Sequence, residues 1–308
     1  MPGAERDTVD GFLLLDKPPG PTSHDIVQVV RRALGVSRVG HAGTLDPFAS
    51  GLLVIAVGRA TRLLRFLTAS DKTYAGEIRL GFATDTDDRT GTPLHEPRPV
   101  DVPDSRIDEV FRALSGEIDQ LPPIYSARKS QGVPLYRLAR QGRAVPRAST
   151  RVRVRWIATA RSAPDLVRFS VIVSAGTYVR ALARDLGDAL GCGAHLESLR
   201  RTAAGSFTVE EALAFPPQAD VLRASILSID SIPLGIPTVE LGPEGCRRLR
   251  SGRPAEEPSG RSDGPAPWIR VTDEEGRLVA IAEGAGDPGA RVLHPRVVLQ
   301  DPDTNHAR

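Results

Sequence analysis

The first quarter of the chain alternates between short apolar runs and turn signals. Residues 12–15 form an apolar run that predicts a strand, and a proline-glycine turn follows it. Apolar residues then recur at helical spacing, at Ile26, Val29, Val30 and Leu34. This spacing predicts a helix that Thr22 or Ser23 caps and that Gly35 ends. Residues 51–58 form a continuous apolar run bounded by glycines, which predicts a buried strand.

The middle of the chain mixes both periodicities in irregular order. Residues 72–84 alternate, with Tyr74, Ile78 and Leu80 at positions of equal parity, and predict a strand. The other predicted elements are helices at 60–67, 105–118 and 177–191 and two adjacent strands at 151–160 and 166–175. Hairpin-like pairs recur and strands do not alternate regularly with helices. The pattern therefore predicts an α+β fold with a mixed, mainly antiparallel sheet and not a doubly wound one.

A domain boundary is expected between residues 232 and 237. It divides the chain into a large domain, 1–233, and a small one, 234–308. The small domain shows a short strand, a helix at 242–252, a hairpin whose strands flank the turn 273–276, and a last strand at 291–299. This is enough chain for a small β-barrel.

Composition excludes several classes of protein. Hydrophobic residues make up 40% and charged residues 25% of the 308 residues, which is ordinary for a soluble globular protein. No apolar run reaches the ~18 residues that span a bilayer, and the N-terminus lacks the pattern of a signal peptide. Cys192 and Cys246 lie far apart and outside any ligand motif, which argues against a disulfide framework and a zinc site. We expect a cytoplasmic protein without membrane attachment or structural metal.

The distribution of charge says more than the net charge of +2. No acid occurs between Gln120 and Pro164. The same stretch carries ten basic residues, Arg128, Lys129, Arg137, Arg140, Arg143, Arg147, Arg151, Arg153, Arg155 and Arg161. Tyr125 and Tyr136 add stacking surfaces. A polyanion such as a nucleic acid would neutralise this block; the alternative is a solvated basic face.

Asp46 is the only carboxylate between Asp25 and Asp71, and it lies in a glycine-rich loop, "GHAGTLDPFASG", at 40–51. An Asp-Pro pair alone is typical of a helix start. The loop is neither a Walker motif nor G-x-G-x-x-G, and the ligands of a zinc deaminase are missing. A lone carboxylate among cationic side chains remains ionised and nucleophilic. Such a group could act in a reaction that needs no cofactor.

Ordered motifs along nearly the whole chain carry a resemblance to a known family. They lie at 13–27, 40–62, 72–88, 122–145, 174–187 and 192–213. The sequence closely resembles bacterial tRNA pseudouridine synthases of the TruB type, and its C-terminal barrel resembles a PUA RNA-binding domain. The segment 251–266 is longer and lower in complexity than the family pattern. This difference affects the expected RNA contacts of the barrel and leaves the expected chemistry unchanged.

The resemblance implies a reaction and a set of site residues. The N-glycosidic bond of one uridine, at position 55 in the T-loop of tRNA, is broken and the uracil is rejoined through C5. Asp46 aligns with the family's nucleophile, Tyr74 with the tyrosine that stacks on the target base, and Arg180 with the arginine that pairs with the carboxylate. His41 aligns with a histidine that holds the base out of the stack. Lys17 and Tyr178 match motif positions that suit either RNA contact or packing.

The segment 122–146 resembles the family's RNA-binding insertion. Its basic residues Arg128, Lys129, Arg137, Arg140 and Arg143 are expected to meet phosphates of the T-arm. The implied enzyme needs no cofactor, guide RNA or protein partner and acts as a monomer. Two alternatives stay open: a guide-RNA-dependent pseudouridine synthase, against which the insertion argues, and a non-catalytic RNA-binding or tRNA-folding protein, against which the Asp46, Tyr74 and Arg180 set argues.

Overall fold

A computed structural model describes most of the chain. The described residues are 9–125, 129–130, 133–134, 147–258, 267–286 and 291–299. Their strands are β1 Gly11–Lys17, β2 Val39–His41, β3 Ser50–Val57, β4 Lys72–Leu80, β5 Gly116–Gln120, β6 Lys129–Ser130, β7 Val133–Pro134, β8 Thr150–Ala163, β9 Leu166–Val173, β10 Ala194–Ala204, β11 Phe207–Thr208, β12 Leu213–Ala214, β13 Thr238–Glu240, β14 Ala255–Glu256, β15 Trp268–Thr272, β16 Leu278–Ala285 and β17 Val292–Val298. Their helices are α1 Ser23–Leu34, α2 Leu64–Thr68, α3 Asp104–Ala113, α4 Val179–Leu190, α5 Ala219–Ala224 and α6 Pro243–Arg250, with 3-10 turns at Gly58–Leu63 and Val209–Glu211.

Two main sheets organise the described residues. The larger has ten strands in the order β12-β1-β3-β10-β4-β9-β8-β5, with β2 beside β3 and β11 beside β10. Its long pairings are antiparallel, whereas β1–β12 and β3–β10 are parallel. The smaller sheet has five strands in the order β13-β15-β16-β17-β14. The α+β class with a mixed, mainly antiparallel sheet is therefore confirmed.

Helix α1 shows how the local sequence sets the frame of the site. Thr22, and not Ser23, caps it, because the Thr22 side chain accepts from the Asp25 backbone while Asp25 bonds back to Thr22. Gly35 ends it in the left-handed conformation, at φ 66°. The buried face differs by one position from the expected one: Val27 is buried whereas Val29 is only partly so. Ser23 does not cap the helix. Its hydroxyl is buried and forms hydrogen bonds with Leu45 of the neighbouring loop.

The helix predicted at 105–118 is shorter in the structure. Helix α3 ends at Ala113, and Gly116 adopts a left-handed φ of 81°, which breaks the helical path. The chain then enters β5, where Glu117 and Asp119 stand opposite Arg153 and Arg151 of β8. Backbone pairing with β8 outweighs the helical propensity of these few residues, a case where tertiary context decides.

The cationic run after β3 holds the smaller sheet against the larger one. Arg59 donates to the backbone carbonyl of Leu299 at 2.8 Å, and Arg62 donates to that of Val298 at 2.7 Å. The guanidinium of Arg65 lies 4.7 Å from the ring centre of Trp268. These three arginines therefore contribute contacts between the two sheets.

Candidate active site

Asp46 lies in a turn between β2 and β3. The Ala49 amide donates to the Asp46 carbonyl at 3.1 Å, and the chain then enters β3 without forming a helix. The Asp-Pro pair thus makes a turn here and does not start a helix. The carboxylate is left uncommitted by any capping bond.

Three separate elements hold this turn. From α1, the Ser23 hydroxyl donates to the Leu45 carbonyl at 3.1 Å and accepts from the Leu45 amide at 2.9 Å. From β1, the Lys17 ammonium donates to the Pro47 carbonyl at 3.3 Å. From β10, Arg201 donates through Nη2 to the Gly43 carbonyl at 3.1 Å. The residues on both sides of Asp46 are thereby fixed, which pre-organises the carboxylate.

Gly51 lets β10 approach the end of this loop. Its φ is 103°, and a Cβ there would stand 2.2 Å from the Arg201 carbonyl oxygen. Only glycine fits both the backbone conformation and the close approach. Gly51 and Arg201 are direct partners in the β3–β10 pairing, so this contact places Arg201 against the Asp46 loop.

A cavity of about 270 Å³ opens beside Asp46. Its lining residues are Gly43, Thr44, Leu45, Asp46, Thr68, Lys72, Tyr74, Tyr125, Val173, Ser174, Gly176, Thr177, Tyr178, Val179, Arg180, Leu199 and Arg201. Four residues predicted from sequence, Asp46, Tyr74, Tyr178 and Arg180, therefore meet at one site. Three tyrosines and several cations around one carboxylate suit an aromatic base attached to an anionic backbone.

Arg180 contacts Asp46 at two points. Its Nε lies 2.8 Å from Oδ2 of Asp46, and its Nη2 donates to Oδ1 at 3.1 Å. The Arg180 side chain is only 7% exposed. On its other side it donates through Nη1 to Asp88 Oδ2 at 3.2 Å and to the Thr86 carbonyl at 3.0 Å. The guanidinium is thus held from behind while it orients the carboxylate.

Burial and charge act on Asp46 in opposite directions. Burial raises the pKa of the Asp46 carboxyl, the Arg180 guanidinium lowers it, and the Asp88 carboxylate raises it further; the net direction is upward. The side chain is nevertheless 33% exposed, because it faces the cavity while protein surrounds the rest of it. Arg180 therefore opposes the upward effect of burial on the pKa of Asp46 and favours its ionised form.

Tyr74 stands in β4 directly opposite Arg201 of β10. The ring is 9% exposed, packs in the core cluster with Phe48 and Leu199, and lines the cavity. The tyrosine thus has both a core role and a cavity role. Gln120 holds the neighbouring Tyr178 backbone with two hydrogen bonds, of 2.8 and 3.0 Å.

Lys17 and His41 do not line the cavity. Lys17 has no exposed surface and donates to the carbonyls of Pro18, Pro21 and Pro47. Burial lowers its pKa to about 8. His41 ends β2, and burial together with the charge of Arg201 lowers the pKa of its imidazole. Lys17 therefore contacts the loop that carries Asp46, and His41 lies at the start of that loop.

The basic block divides into two parts. Arg128, Arg137, Arg140, Arg143 and the side chain of Lys129 lie outside the described residues. Farther along, Arg151 pairs with Asp119 at 3.1 Å, Arg153 with Asp71 at 3.1 Å, and Arg161 with Asp104 at 2.9 Å. Acids from distant segments thus neutralise these three arginines, and a solvated basic face describes them better than a nucleic-acid contact does.

Sequence reasoning missed several polar residues around the cavity. They are the buried residues Lys72, Asp88, Gln120 and Arg201. Lys72 had a usable signal, because it shares the parity of Tyr74 in one strand. Arg201 had none, since its neighbour Arg200 is equally basic and points instead to Asp16 at 2.7 Å.

Two kinds of feature are absent from the described ranges. No helix there is long and apolar enough to cross a membrane. No group of three or more His, Cys, Asp or Glu residues is arranged there to hold a metal ion.

Comparison with known proteins gives consistent matches. The family described as "TruB family pseudouridylate synthase (N terminal domain)" matches residues 31–179, and "tRNA pseudouridylate synthase B C-terminal domain" matches 180–231. The tRNA pseudouridine synthase B of Aromatoleum aromaticum is 41% identical over 290 residues, which are 92% of this chain and 91% of the relative. That of Geotalea uraniireducens is 48% identical over 206 residues, 67% of this chain and 66% of the relative.

A solved structure shows the same architecture. The structure titled "Crystal Structure of a Cbf5-Nop10-Gar1 Complex" matches at 27% identity and a TM-score of 0.75, covering 97% of this chain and 88% of that one. The two family matches meet between Val179 and Arg180, inside α4, and strands from both sides of that point form one sheet. The chain therefore belongs to the TruB family of pseudouridylate synthases and is an isomerase.

Proposed function

We propose that this chain converts one uridine in the T-loop of tRNA, at position 55, into pseudouridine, with Asp46 as nucleophile and without guide RNA or cofactor. The names of the relatives support tRNA as the substrate. One observation carries the assignment of Asp46: it faces the cavity that Tyr74 also lines, in two-point contact with a buried Arg180.

The stoichiometry of the reaction needs no second reactant. The bond from N1 of uracil to C1′ of ribose breaks, and a bond from C5 to C1′ forms. C5 loses one proton and N1 gains one, so atoms and electrons balance within the nucleotide. Positioned acid, base and nucleophilic groups of the protein suffice for such a step.

Asp46 acts at the ribose. Its carboxylate either adds to the sugar or assists elimination of the uracil, and both routes require the ionised form. Arg180 serves both routes, because it lowers the pKa of Asp46 and fixes both carboxylate oxygens. The carboxylate must be released again at the end of the reaction. A carboxylate is a weak base and therefore leaves readily.

The target base must leave the stack of a folded RNA loop to reach Asp46. Tyr74 supplies a flat surface on the cavity wall for the extruded uracil, since base–aromatic stacking contributes about 1–3 kcal/mol. His41 helps hold the extruded base out of the stack, and Lys17 supports the Asp46 loop through the Pro47 carbonyl.

Recognition of the T-arm is assigned to regions outside the cavity. The insertion at 122–146 closes over the T-arm through Arg128, Lys129, Arg137, Arg140 and Arg143, and the PUA-like barrel adds a second contact. Shape and phosphate contacts dominate the recognition of such folded RNA. In this proposal the protein works in the cytoplasm as a monomer without a protein partner.

The test is site-specific mapping of pseudouridine on an unmodified tRNA transcript incubated with purified protein alone. We expect pseudouridine at position 55 and none in a transcript with cytidine there. Formation at another position, or only after addition of guide RNA and partner proteins, would contradict the proposal. Tight RNA binding without any pseudouridine would favour the non-catalytic alternative.

A further inference from the structure

Two buried cations line the cavity beside Tyr74. Lys72 precedes Tyr74 by two residues in β4, so both side chains project from the same face of the sheet. Arg201 stands opposite Tyr74 in β10. Lys72 is 6% exposed and Arg201 is 1% exposed. The cavity wall thus carries two positive charges next to the aromatic ring.

Neither cation has an acidic partner among the described residues. No carboxylate there lies within 4.0 Å of either group, whereas the Asp46 carboxylate lies 2.8 Å from Arg180. Asp71 adjoins Lys72 in sequence, but its carboxylate pairs with Arg153 at 3.1 Å. The nearest acid in sequence is therefore already committed elsewhere.

Backbone carbonyls satisfy only part of the hydrogen-bonding capacity of these groups. The Lys72 ammonium donates to the carbonyls of Thr68 and Ser70, and an ammonium has three donors. Arg201 donates through Nε to the Leu52 carbonyl and through Nη2 to the Gly43 carbonyl. The third donor of Lys72 has no acceptor among the residues that the structure describes.

The lack of a counter-charge has an electrostatic consequence. Burial and the charge of Arg201 lower the pKa of Lys72 to about 8. Buried charges are costly unless an opposite charge accompanies them. An anion entering the cavity would raise the pKa of Lys72 towards its ordinary value and would be bound in return.

Lys72 and Asp46 are held by different contacts in the cavity wall. The Lys72 ammonium donates to the carbonyls of Thr68 and Ser70, whereas the Asp46 carboxylate contacts Arg180. Lys72 therefore takes no part in the ion pair that carries the chemistry.

We propose that Lys72, backed by Arg201, binds a non-bridging oxygen of a backbone phosphodiester next to the uridine that enters the cavity. The inference rests on the proposed function, which makes RNA the substrate. A uridine whose ribose lies at Asp46 brings a phosphodiester on each side of that ribose. One of these phosphates supplies the anion that the described part of the chain does not offer to the Lys72–Arg201 pair.

The test is a double-mutant cycle on binding. A synthetic T-arm stem-loop RNA is made with a neutral methylphosphonate at one or the other phosphate flanking the target uridine, and its affinity is measured for wild type and Lys72→Met. One methylphosphonate should weaken wild-type binding by about tenfold, as expected for a charge-assisted hydrogen bond. Lys72→Met should weaken binding to the unmodified RNA similarly. Binding of the Lys72→Met protein to the methylphosphonate RNA should be little weaker than with either change alone.

Controls separate this subsite from general electrostatics and from misfolding. Arg112→Met, a change on the exposed face of α3, should leave the full methylphosphonate effect. Lys72→Arg keeps the charge and should keep the sensitivity to that phosphate. The methylphosphonate scan with wild-type protein needs no variant and stands if Lys72→Met does not fold.

Three outcomes would overturn the inference. One is a wild-type protein that is insensitive to both flanking phosphates. Another is fully additive effects of Lys72→Met and the methylphosphonate. The third is a Lys72→Met protein with unchanged affinity but a slower single-turnover rate, which would place Lys72 at the base. Each can occur while wild type forms pseudouridine normally, whereas failure of the proposed function would appear as no pseudouridine in the unmodified RNA.

Discussion

At the scale of single residues, one guanidinium joins two carboxylates that have different surroundings. Asp88 is 5% exposed and also accepts hydrogen bonds from Thr86 and Thr90. Asp46 is 33% exposed and faces the cavity. Arg180 between them is thereby fixed by the buried acid and presented to the reactive one. The pH range in which Asp46 is ionised depends on this contact.

The change Arg180→Met should shift the acid limb of the pH–rate profile to higher pH. Arg180 lowers the pKa of Asp46 against the upward effect of burial, so its removal raises that pKa and protonates the nucleophile at a higher pH. We also expect the single-turnover rate at neutral pH to fall by about a hundredfold or more. The measurement is the single-turnover rate at saturating tRNA across pH.

Arg184→Met is the matched control for this change. Arg184 lies one turn farther along α4 and pairs with Asp87 at 3.2 Å, not with Asp46. Its removal should leave the midpoint of the acid limb in place. An unchanged midpoint in Arg180→Met would contradict the electrostatic role given to Arg180.

Sequence motifs indicated the residues with direct roles and missed those that support them. Asp46, Tyr74 and Arg180 stand in motifs that resemble those of a known family, and the structure brings them to one cavity. Lys72 and Arg201 face the same cavity; parity with Tyr74 was a usable signal for Lys72, but the direction of Arg201 depends on the register of β10. That register is set by pairings between β3, β10 and β4, which no local pattern reveals.

At the scale of elements, the Asp46 turn is held by a helix and two strands, so local stability and activity are linked there. Ser23 and Thr22 are neighbours in sequence with different tasks. Thr22 caps α1, whereas Ser23 bonds both the amide and the carbonyl of Leu45. The pair offers a comparison between holding a helix and holding the site.

We expect Ser23→Ala to reduce both stability and rate. The change leaves two buried backbone groups without their partner and should cost about 1–3 kcal/mol of unfolding free energy. Because Leu45 adjoins Asp46, the single-turnover rate should fall as well. Thr22→Ala should cost about 1 kcal/mol and leave the rate near wild type. Urea unfolding and rate measurements on both variants check this, and equal rate losses would contradict the distinction.

Element boundaries were less predictable than element types. The apolar spacing of α1 predicted its length and end, but Val27 replaced Val29 on the buried face because the helix packs with Leu13 and Leu53 of β1 and β3. Residues 116–120 became a strand because β8 offered a pairing edge. Both differences depend on partners far away in the chain.

At the scale of the whole molecule, the basic block serves two purposes. Pairs such as Arg153–Asp71 and Arg161–Asp104 join segments distant in sequence, so their neutralisation could not be predicted from an acid-free stretch. The arginines at 137–143 precede this paired part. They remain the expected phosphate contacts of the insertion.

The triple change of Arg137, Arg140 and Arg143 to Ala should weaken tRNA binding and flatten its salt dependence. Each lost phosphate contact reduces the log–log slope by about one unit, so the total reduction is up to about three. The single-turnover rate at saturating tRNA should change much less, because Asp46 is untouched. Filter binding at several salt concentrations measures the slope.

The control is a triple change to Ala of arginines that pair with acids, Arg151, Arg161 and Arg168. It should leave the slope near that of wild type. Equal slopes in all three proteins would show that the insertion arginines only solvate a surface. Normal binding with lost turnover would move the insertion to the chemistry.

The wild-type reaction should need no metal ion beyond its effect on the folding of tRNA. We expect full activity in EDTA on a tRNA prefolded with spermidine, because the isomerisation needs no external reactant. Loss of activity that zinc restores and spermidine does not would contradict this expectation.

The most direct test of the central claim is the single-turnover rate of Asp46→Asn on unmodified tRNA, measured beside its tRNA affinity. The change is nearly isosteric and removes the nucleophile without altering the RNA-binding surface. We expect pseudouridine formation below about one percent of the wild-type rate, as for covalent catalysis without its attacking group, with tRNA affinity within a few-fold of wild type. Activity above that level in a correctly folded Asp46→Asn protein would contradict the assignment of Asp46 as nucleophile.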